Sequence, residues 1–165
     1  MSIAKTIPVP NEIRETHTLV IIEMPTQADL VFGKFLTGQE GRLFNAMFEQ
    51  ASEGLPIEKR LYVITGMVRH RPYDIMLLKD KLVKVGREPN AKEIIDGIPD
   101  VMSMYHKVKP KVIFLIGKTT ERFYFKEFPD AYQLQPMNFL VKQGGANSPW
   151  YKTNLRMIEE ALHDS

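Results

Sequence analysis

The chain has 165 residues, 44% of them apolar and 25% charged, with a net charge of +2. That length supports one domain with a real core and hardly two, and the composition is ordinary for a globular protein. The absence of cysteine excludes disulfides, iron–sulfur clusters and thiolate zinc sites. No apolar run reaches the roughly eighteen residues of a membrane helix, and so small a net charge does not diagnose a nucleic-acid partner.

Residues 1–17 carry Pro8 and Pro10 and little periodicity, which predicts an extended N-terminal arm ahead of a single domain over 18–165. The arm lacks the apolar core of a signal peptide, and an intracellular, cytoplasmic protein is expected. Leu19 to Glu23 is a short apolar run ending in an acid, the pattern of a buried parallel strand. From Gly41, Leu43, Phe44, Met47, Phe48 and Ala51 recur at helical spacing until Gly54 and Pro56 end the pattern. Arg60 to Thr65 reads as a second buried strand. The stretch from His70 to Asn90 reads as loop with a short helical segment. Ile94, Ile95, Ile98, Val101, Met102 and Tyr105 fit one helix face, with Pro99 expected to kink it. Lys111 to Gly117 is the clearest strand, followed by a helix through Phe125. Ala131 to Pro136 reads as a short fourth strand. In the last helix Ser148 supplies a cap and Pro149 the first turn, while Tyr151, Leu155, Ile158 and Leu162 line one side.

Strands alternate with helices, so the expected fold is α/β, with three α/β/α layers around a mainly parallel sheet of about four strands. Ligands of such sheets bind at the carboxyl ends of the strands. That rule singles out the loops after Glu23, Thr65, Gly117 and Gln135. The glycine loop "GKFLTGQEG" lacks the Gly-Lys-Ser/Thr ending of a triphosphate-binding loop and does not match the dinucleotide fingerprint. Its plain reading is a flexible connector. The four histidines are scattered without ligand spacing, so no metal and no cofactor is expected. A cluster of lysines between Lys107 and Lys126 reads as a solvated surface, and Glu23 alone as a strand end.

Taken together, the loops resemble the uracil-DNA glycosylase superfamily from about Leu19 to Leu162, with the iron–sulfur-containing branch the nearest in pattern. The first motif there is Gly-Glu-Ala-Pro-Gly; here it is Ile22-Glu23-Met24-Pro25-Thr26. The next motif, Gly-x-Pro-Phe-Val-Gly-x-x-Gly-x-Leu-Leu, is matched by Gly33 to Phe44 with Gly33, Gly38 and Gly41 in register. Tyr-Ile-Thr-Asn-Val-Val-Lys-Cys-Arg-Pro is similar to the segment from Tyr62 to Pro72. "REPNAKEIIDGIPDVM" and "KPKVIFLIGKTTERF" resemble two further segments of that branch. His-Pro-Ser-x-Leu-Leu-Arg aligns with Gln135 to Lys142 if one residue slips.

The resemblance implies a DNA partner and an extruded base. It implies catalytic roles for Glu23 and Gln135 and a base pocket of Pro25, Thr26, Phe35, Leu36 and Gly66. It also implies DNA contacts through Gly33, Lys34, Met137, Asn138, Phe139 and Lys142, with residues 137–140 as a wedge loop. The departures fall on functional positions. The base-reading asparagine is Gly66, which is expected to enlarge the pocket. The stacking phenylalanine is Leu36, with Phe35 one place earlier as a partial substitute. The histidine donor is Gln135, whose amide can also donate. Two cluster cysteines are replaced by His70 and Gly97. Two readings stay open beside an unrelated α/β binding protein. One is a catalytically silent relative that binds DNA or replication and repair proteins. The other is an active glycosylase for uracil or a larger modified base. The superfamily includes members with replication roles and members encoded by viruses.

Overall fold

The computed structural model describes residues 5–165; the first four residues of the expected arm lie outside them. The central sheet has four parallel strands in the order β2-β1-β5-β6: β1 is Thr18–Ile22, β2 Tyr62–Gly66, β5 Val112–Ile116 and β6 Tyr132–Leu134. A separate two-stranded antiparallel hairpin joins β3 (Tyr73–Leu78) to β4 (Lys81–Gly86). The helices are α1 (Gln27–Phe32), α2 (Gly38–Ala51), α3 (Ala91–Val108), α4 (Lys118–Tyr124), α5 (Met137–Lys142) and α6 (Pro149–His163).

β1 pairs on both edges, with Ile22 beside Gly66 on one side and Ile21 beside Leu115 on the other. All five of its residues are buried. Successive strand residues point to opposite faces, and this alternation builds the three layers. Val20, Ile22, Phe114 and Ile116 join Phe44, Met47 and Phe48 of α2 and Ile158 and Leu162 of α6 in one core. Leu19, Ile21 and Leu115 join Ile94, Val101 and Met104 of α3 and Tyr124 of α4 in the other. The expected α/β/α architecture, with its parallel sheet of four strands, is therefore the observed one.

The region from His70 to Asn90 departs from expectation. It forms the β3–β4 hairpin, not a loop with a short helix. Two features hid it. Ile75, Met76, Leu77 and Leu78 are consecutive apolar residues, so the alternation of a half-buried strand is missing. The turn places Lys79 and Asp80 both at positive φ, 49° and 62°, the backbone of a tight hairpin turn normally signalled by Asn-Gly. Pro99 lies inside a single helix.

The arm is docked where it is described. Ile7 is 3% exposed; its N–H donates to the Arg69 carbonyl at 2.8 Å, and the Arg69 guanidinium returns a bond to its carbonyl at 3.0 Å. Gly97, one of the two positions where the resemblance expects a cluster ligand, is a close-approach point between backbones. A Cβ there would lie 2.0 Å from the Met67 carbonyl oxygen. His70, the other, is bonded to Glu93 at 2.9 Å. Direct packing of α3 onto the segment after β2 fills that side of the domain.

Helix propensity alone favours alanine over glycine by about 1 kcal/mol. Gly97→Ala is nevertheless expected to destabilise the domain by roughly 1–3 kcal/mol through overpacking. Thermal melts should show a midpoint lower by several degrees, at roughly 2–4 °C per kcal/mol for a chain of this size.

Candidate functional site

A cleft of about 250 Å³ opens at the carboxyl end of the sheet. Its floor is Ile22 and Ile116, the last residues of β1 and β5. Glu23, Met24, Pro25 and Thr26 form one wall, Leu36 and Glu40 a second, Pro136, Met137 and Asn138 a third, and Arg71 and Glu88 the rim. Strand register explains why these residues meet: parallel strands in step end together, and their outgoing loops share one edge.

Glu23 leaves β1 into this cleft. Its Oε1 is buried with no hydrogen-bond partner, and burial, reinforced by the nearby Glu88 carboxylate, raises its pKa above the usual carboxylate value. Gly117 lies close by; a Cβ there would sit 3.7 Å from Glu23 Oε2 and 3.6 Å from Pro136. Burial also raises Glu40, with Asp29 adding to the effect while Arg71 and Lys142 oppose it. Arg71 ties the wall to the rim through a 3.2 Å bond from its guanidinium to the Pro25 carbonyl.

The loop carrying Leu36 is held by Asp29, a buried acid within a short helix. Asp29 is fully buried. Its carboxylate accepts from the N–H groups of Thr26 at 3.0 Å, Leu36 at 3.0 Å and Thr37 at 2.7 Å, and from the Thr37 hydroxyl at 2.7 Å. Thr26 caps α1 by accepting from the Asp29 N–H at 3.1 Å, so the pair forms a reciprocal capping box. The Thr-x-x-Asp spacing was the signal for it. The same carboxylate helps hold Leu36 at φ 56°, an uncommon conformation for a bulky side chain and one that clusters at ligand sites. The Leu36 carbonyl then presses on Gly41, where a Cβ would lie 1.9 Å from its oxygen. This is why the loop needs that glycine.

Of the residues singled out in the sequence, Glu23, Pro25, Thr26, Leu36, Met137 and Asn138 meet in this cleft. Phe35, Gly33 and Lys34 line a different hollow, beside the arm. Gly66 is not an enlargement of the cleft. A Cβ there would lie 2.6 Å from the Phe35 ring and 2.6 Å from the Val68 carbonyl oxygen, so ring and backbone have closed the space. Gln135 is fixed through its backbone: its N–H donates to Asn154 Oδ1 at 3.0 Å, and Asn154 Nδ2 donates to its carbonyl at 3.1 Å. Asn154 is 2% exposed and shares a helix face with Tyr151 and Ile158, which is where a buried polar anchor could have been sought. Residues 137–142 are helix α5 and not a loop. Met137 and Leu140 are core, Phe139 packs edge-on to Trp150 at 5.9 Å between ring centres, and Asn138 and Lys142 are exposed.

The rim has its own ionic brace. Arg87 donates to Glu93 at 2.5 Å and to Asp74 at 3.0 Å. The Arg87 bond, with help from His70 and the Asn90 N–H and against the opposing effect of burial, holds the Glu93 carboxyl down to about 2. Among the described residues, no three His, Asp or Glu side chains cluster as metal ligands, and no helix is long and apolar enough to cross a membrane.

Compared with known proteins, residues 11–159 match the family model described as the uracil DNA glycosylase superfamily. No curated protein matches the chain.

Two outcomes test the supports of the cleft. Asp29→Ala strands three backbone N–H groups, and a loss of about 3 kcal/mol or more is expected, since each buried unpaired donor costs roughly 1–3. Hydrogen exchange should show the Leu36 and Thr37 amides losing protection first. Glu93 binds fewer protons folded than unfolded between its folded value of about 2 and its ordinary 4.5. The stability it adds is therefore complete above about 4.5 and is lost as pH falls toward 2. In urea titrations, the gap between wild type and Glu93→Gln should be open at pH 6 and narrow by pH 3.

Proposed function

The chain belongs to the uracil DNA glycosylase superfamily, and from that premise we propose that it binds DNA and takes an extruded nucleotide into the Glu23 cleft without efficient excision of uracil. Chemistry on a base requires that the base leave its stack and enter a pocket. A cleft of about 250 Å³ at the strand ends, with apolar walls from Pro25, Leu36 and Met137, suits a planar ring. The observation that carries the loss of uracil excision is the closure over Gly66 by the Phe35 ring and the Val68 carbonyl. In the motif this chain resembles, an amide at that position reads the edge of uracil. Here no side chain is present and no space is left for one. A site built around such a bond loses selectivity of about 10⁴-fold or more without it.

A second reading rests on Glu23. A half-buried carboxylate that lines a cleft is suited to stabilising the cation that develops on a sugar as its base departs. The departing base would need a donor, and Asn138 and Arg71 line the same cleft. On that reading the protein removes a base other than uracil, recognised by shape and by these donors.

One experiment separates the two. Duplexes carrying uracil, hypoxanthine, xanthine or 5-hydroxymethyluracil are incubated with the protein, treated with alkali and run on a denaturing gel, with binding followed by fluorescence anisotropy. The expected result is binding with a preference for an unpaired nucleotide over a matched duplex, and no alkali-labile product from uracil. Strand breaks at a modified base that disappear in Glu23→Gln would establish the second reading instead. Absence of DNA binding would overturn both.

A further inference from the structure

The β3–β4 hairpin is unlike the rest of the surface. Neither strand joins the central sheet, and nearly every residue is exposed on both faces. Leu82 is 76% exposed, Leu77 66% and Ile75 63%. An isolated two-stranded ribbon is marginal in water, and a run of apolar side chains kept in solvent marks an interaction site. An ionic brace nevertheless holds this ribbon in place. The Arg87 N–H donates to the Pro72 carbonyl at 3.1 Å, and Arg87 bonds Asp74 on β3 and Glu93 on α3.

Where the ribbon is rooted matters most. Arg71 and Glu88, just outside its two strands, are the rim of the Glu23 cleft. The root of the hairpin therefore borders the cleft that a delivered nucleotide would enter. We propose that the β3–β4 hairpin is a second DNA-contacting element, a ribbon that enters the groove beside the extruded nucleotide; this rests on the reading given under Proposed function. Six residues of strand span about 20 Å, enough to cross a major groove about 12 Å wide, which admits a two-stranded ribbon. The charge is suited to the task. Lys79, Lys81 and Lys84 lie at or near the turn, Asp74 is already paired with Arg87, and Asp80 is the remaining acid on the hairpin. Lys84 stands 4.5 Å over the Tyr73 ring. Lysines set to phosphates fix position, while apolar side chains in the major groove meet the thymine methyl group. Leu77 and Leu82 face each other across the ladder near the turn, where such a contact would be made.

Three variants test this. In the first, residues 75–84 are replaced by Asn-Gly, which closes Asp74 onto its registered partner Val85 with a favoured two-residue turn. The second is Lys79→Gln with Lys81→Gln, and the third is Leu77→Ser with Leu82→Ser. Anisotropy on a fluorescein-labelled duplex with one unpaired nucleotide is read across a salt series, with thermal melts and light-scattering mass as controls. The excised variant is expected to bind about tenfold or more weakly at an unchanged melting temperature. The lysine pair should lower the slope of log affinity against log salt by about 1.8, at roughly 0.9 per phosphate contact. The leucine pair should weaken binding with the slope unchanged. Wild-type binding together with unchanged affinity and slope in the lysine and leucine pairs would overturn the proposal, whether or not the excised variant folds. So would a wild-type dimer that excision converts to a monomer with full DNA affinity, since the ribbon would then join copies of the chain. A wild type that binds no DNA removes the reading beneath it, which is a separate failure.

Discussion

The constraint on which the molecule depends is the burial of β1 from every side. Its two faces meet the two cores, and its two edges carry β2 and β5. A strand so enclosed has no freedom of register, because a slip of one residue would exchange the side chains destined for opposite cores. Fixing β1 fixes where the chain leaves the sheet, and that point is Glu23. The carboxylate therefore sits in the cleft as a result of core packing, before any local interaction acts on it. Its unpartnered oxygen is a cost that the surrounding hydrophobic burial offsets.

The segment after β1 is organised by a second, polar constraint. Asp29 gathers Thr26, Leu36 and Thr37 around one carboxylate, so the chain from Thr26 to Thr37 folds back on a single buried charge. Charge-assisted bonds of this kind are stronger than neutral ones. They can hold Leu36 in a left-handed conformation that its side chain disfavours. The loop thus arrives at the cleft stiff, with an aliphatic side chain presented to the cleft while the neighbouring Phe35 ring turns to cover Gly66. Backbone geometry at one residue decides which of two adjacent side chains reaches the site.

This division between apolar and polar constraints explains what could be read from the sequence. The layers arise from period and run length: Leu19 to Ile22, Tyr62 to Thr65 and Val112 to Ile116 are apolar without alternation, and the intervening segments repeat at helical spacing. The loops at the strand ends are set by the fold; the resemblance adds Glu23, Gln135, Pro25, Thr26, Phe35, Leu36 and Gly66 as one site with Met137 and Asn138 as DNA contacts beside it, whereas the cleft is lined by Glu23, Pro25, Thr26, Leu36, Met137 and Asn138 and not by Gln135, Phe35 or Gly66. The fate of Phe35 could not be read beforehand. It depends on the positive φ of Leu36, and nothing in the sequence announces a leucine in that conformation. Residues 137–140 resisted for a different reason. Met137 and Leu140 are spaced as well for a buried helix face as for an exposed wedge, and only the presence of α2 and α6 above them decides. The hairpin was hidden because it breaks the rule used to find strands, having apolar residues on both faces where a half-buried strand alternates.

The closure over Gly66 also bears on what this chain can become. Two obstructions stand there, and they are independent: an aromatic ring from one loop and a carbonyl oxygen from the chain two residues on. Removing the ring leaves the carbonyl, and moving the carbonyl means shifting backbone that continues from a strand locked into the sheet. A lone change at position 66 meets both obstacles and gains no contact in return. New recognition in this protein is therefore more accessible at the walls of the cleft, where Leu36 and Asn138 stand, than at Gly66.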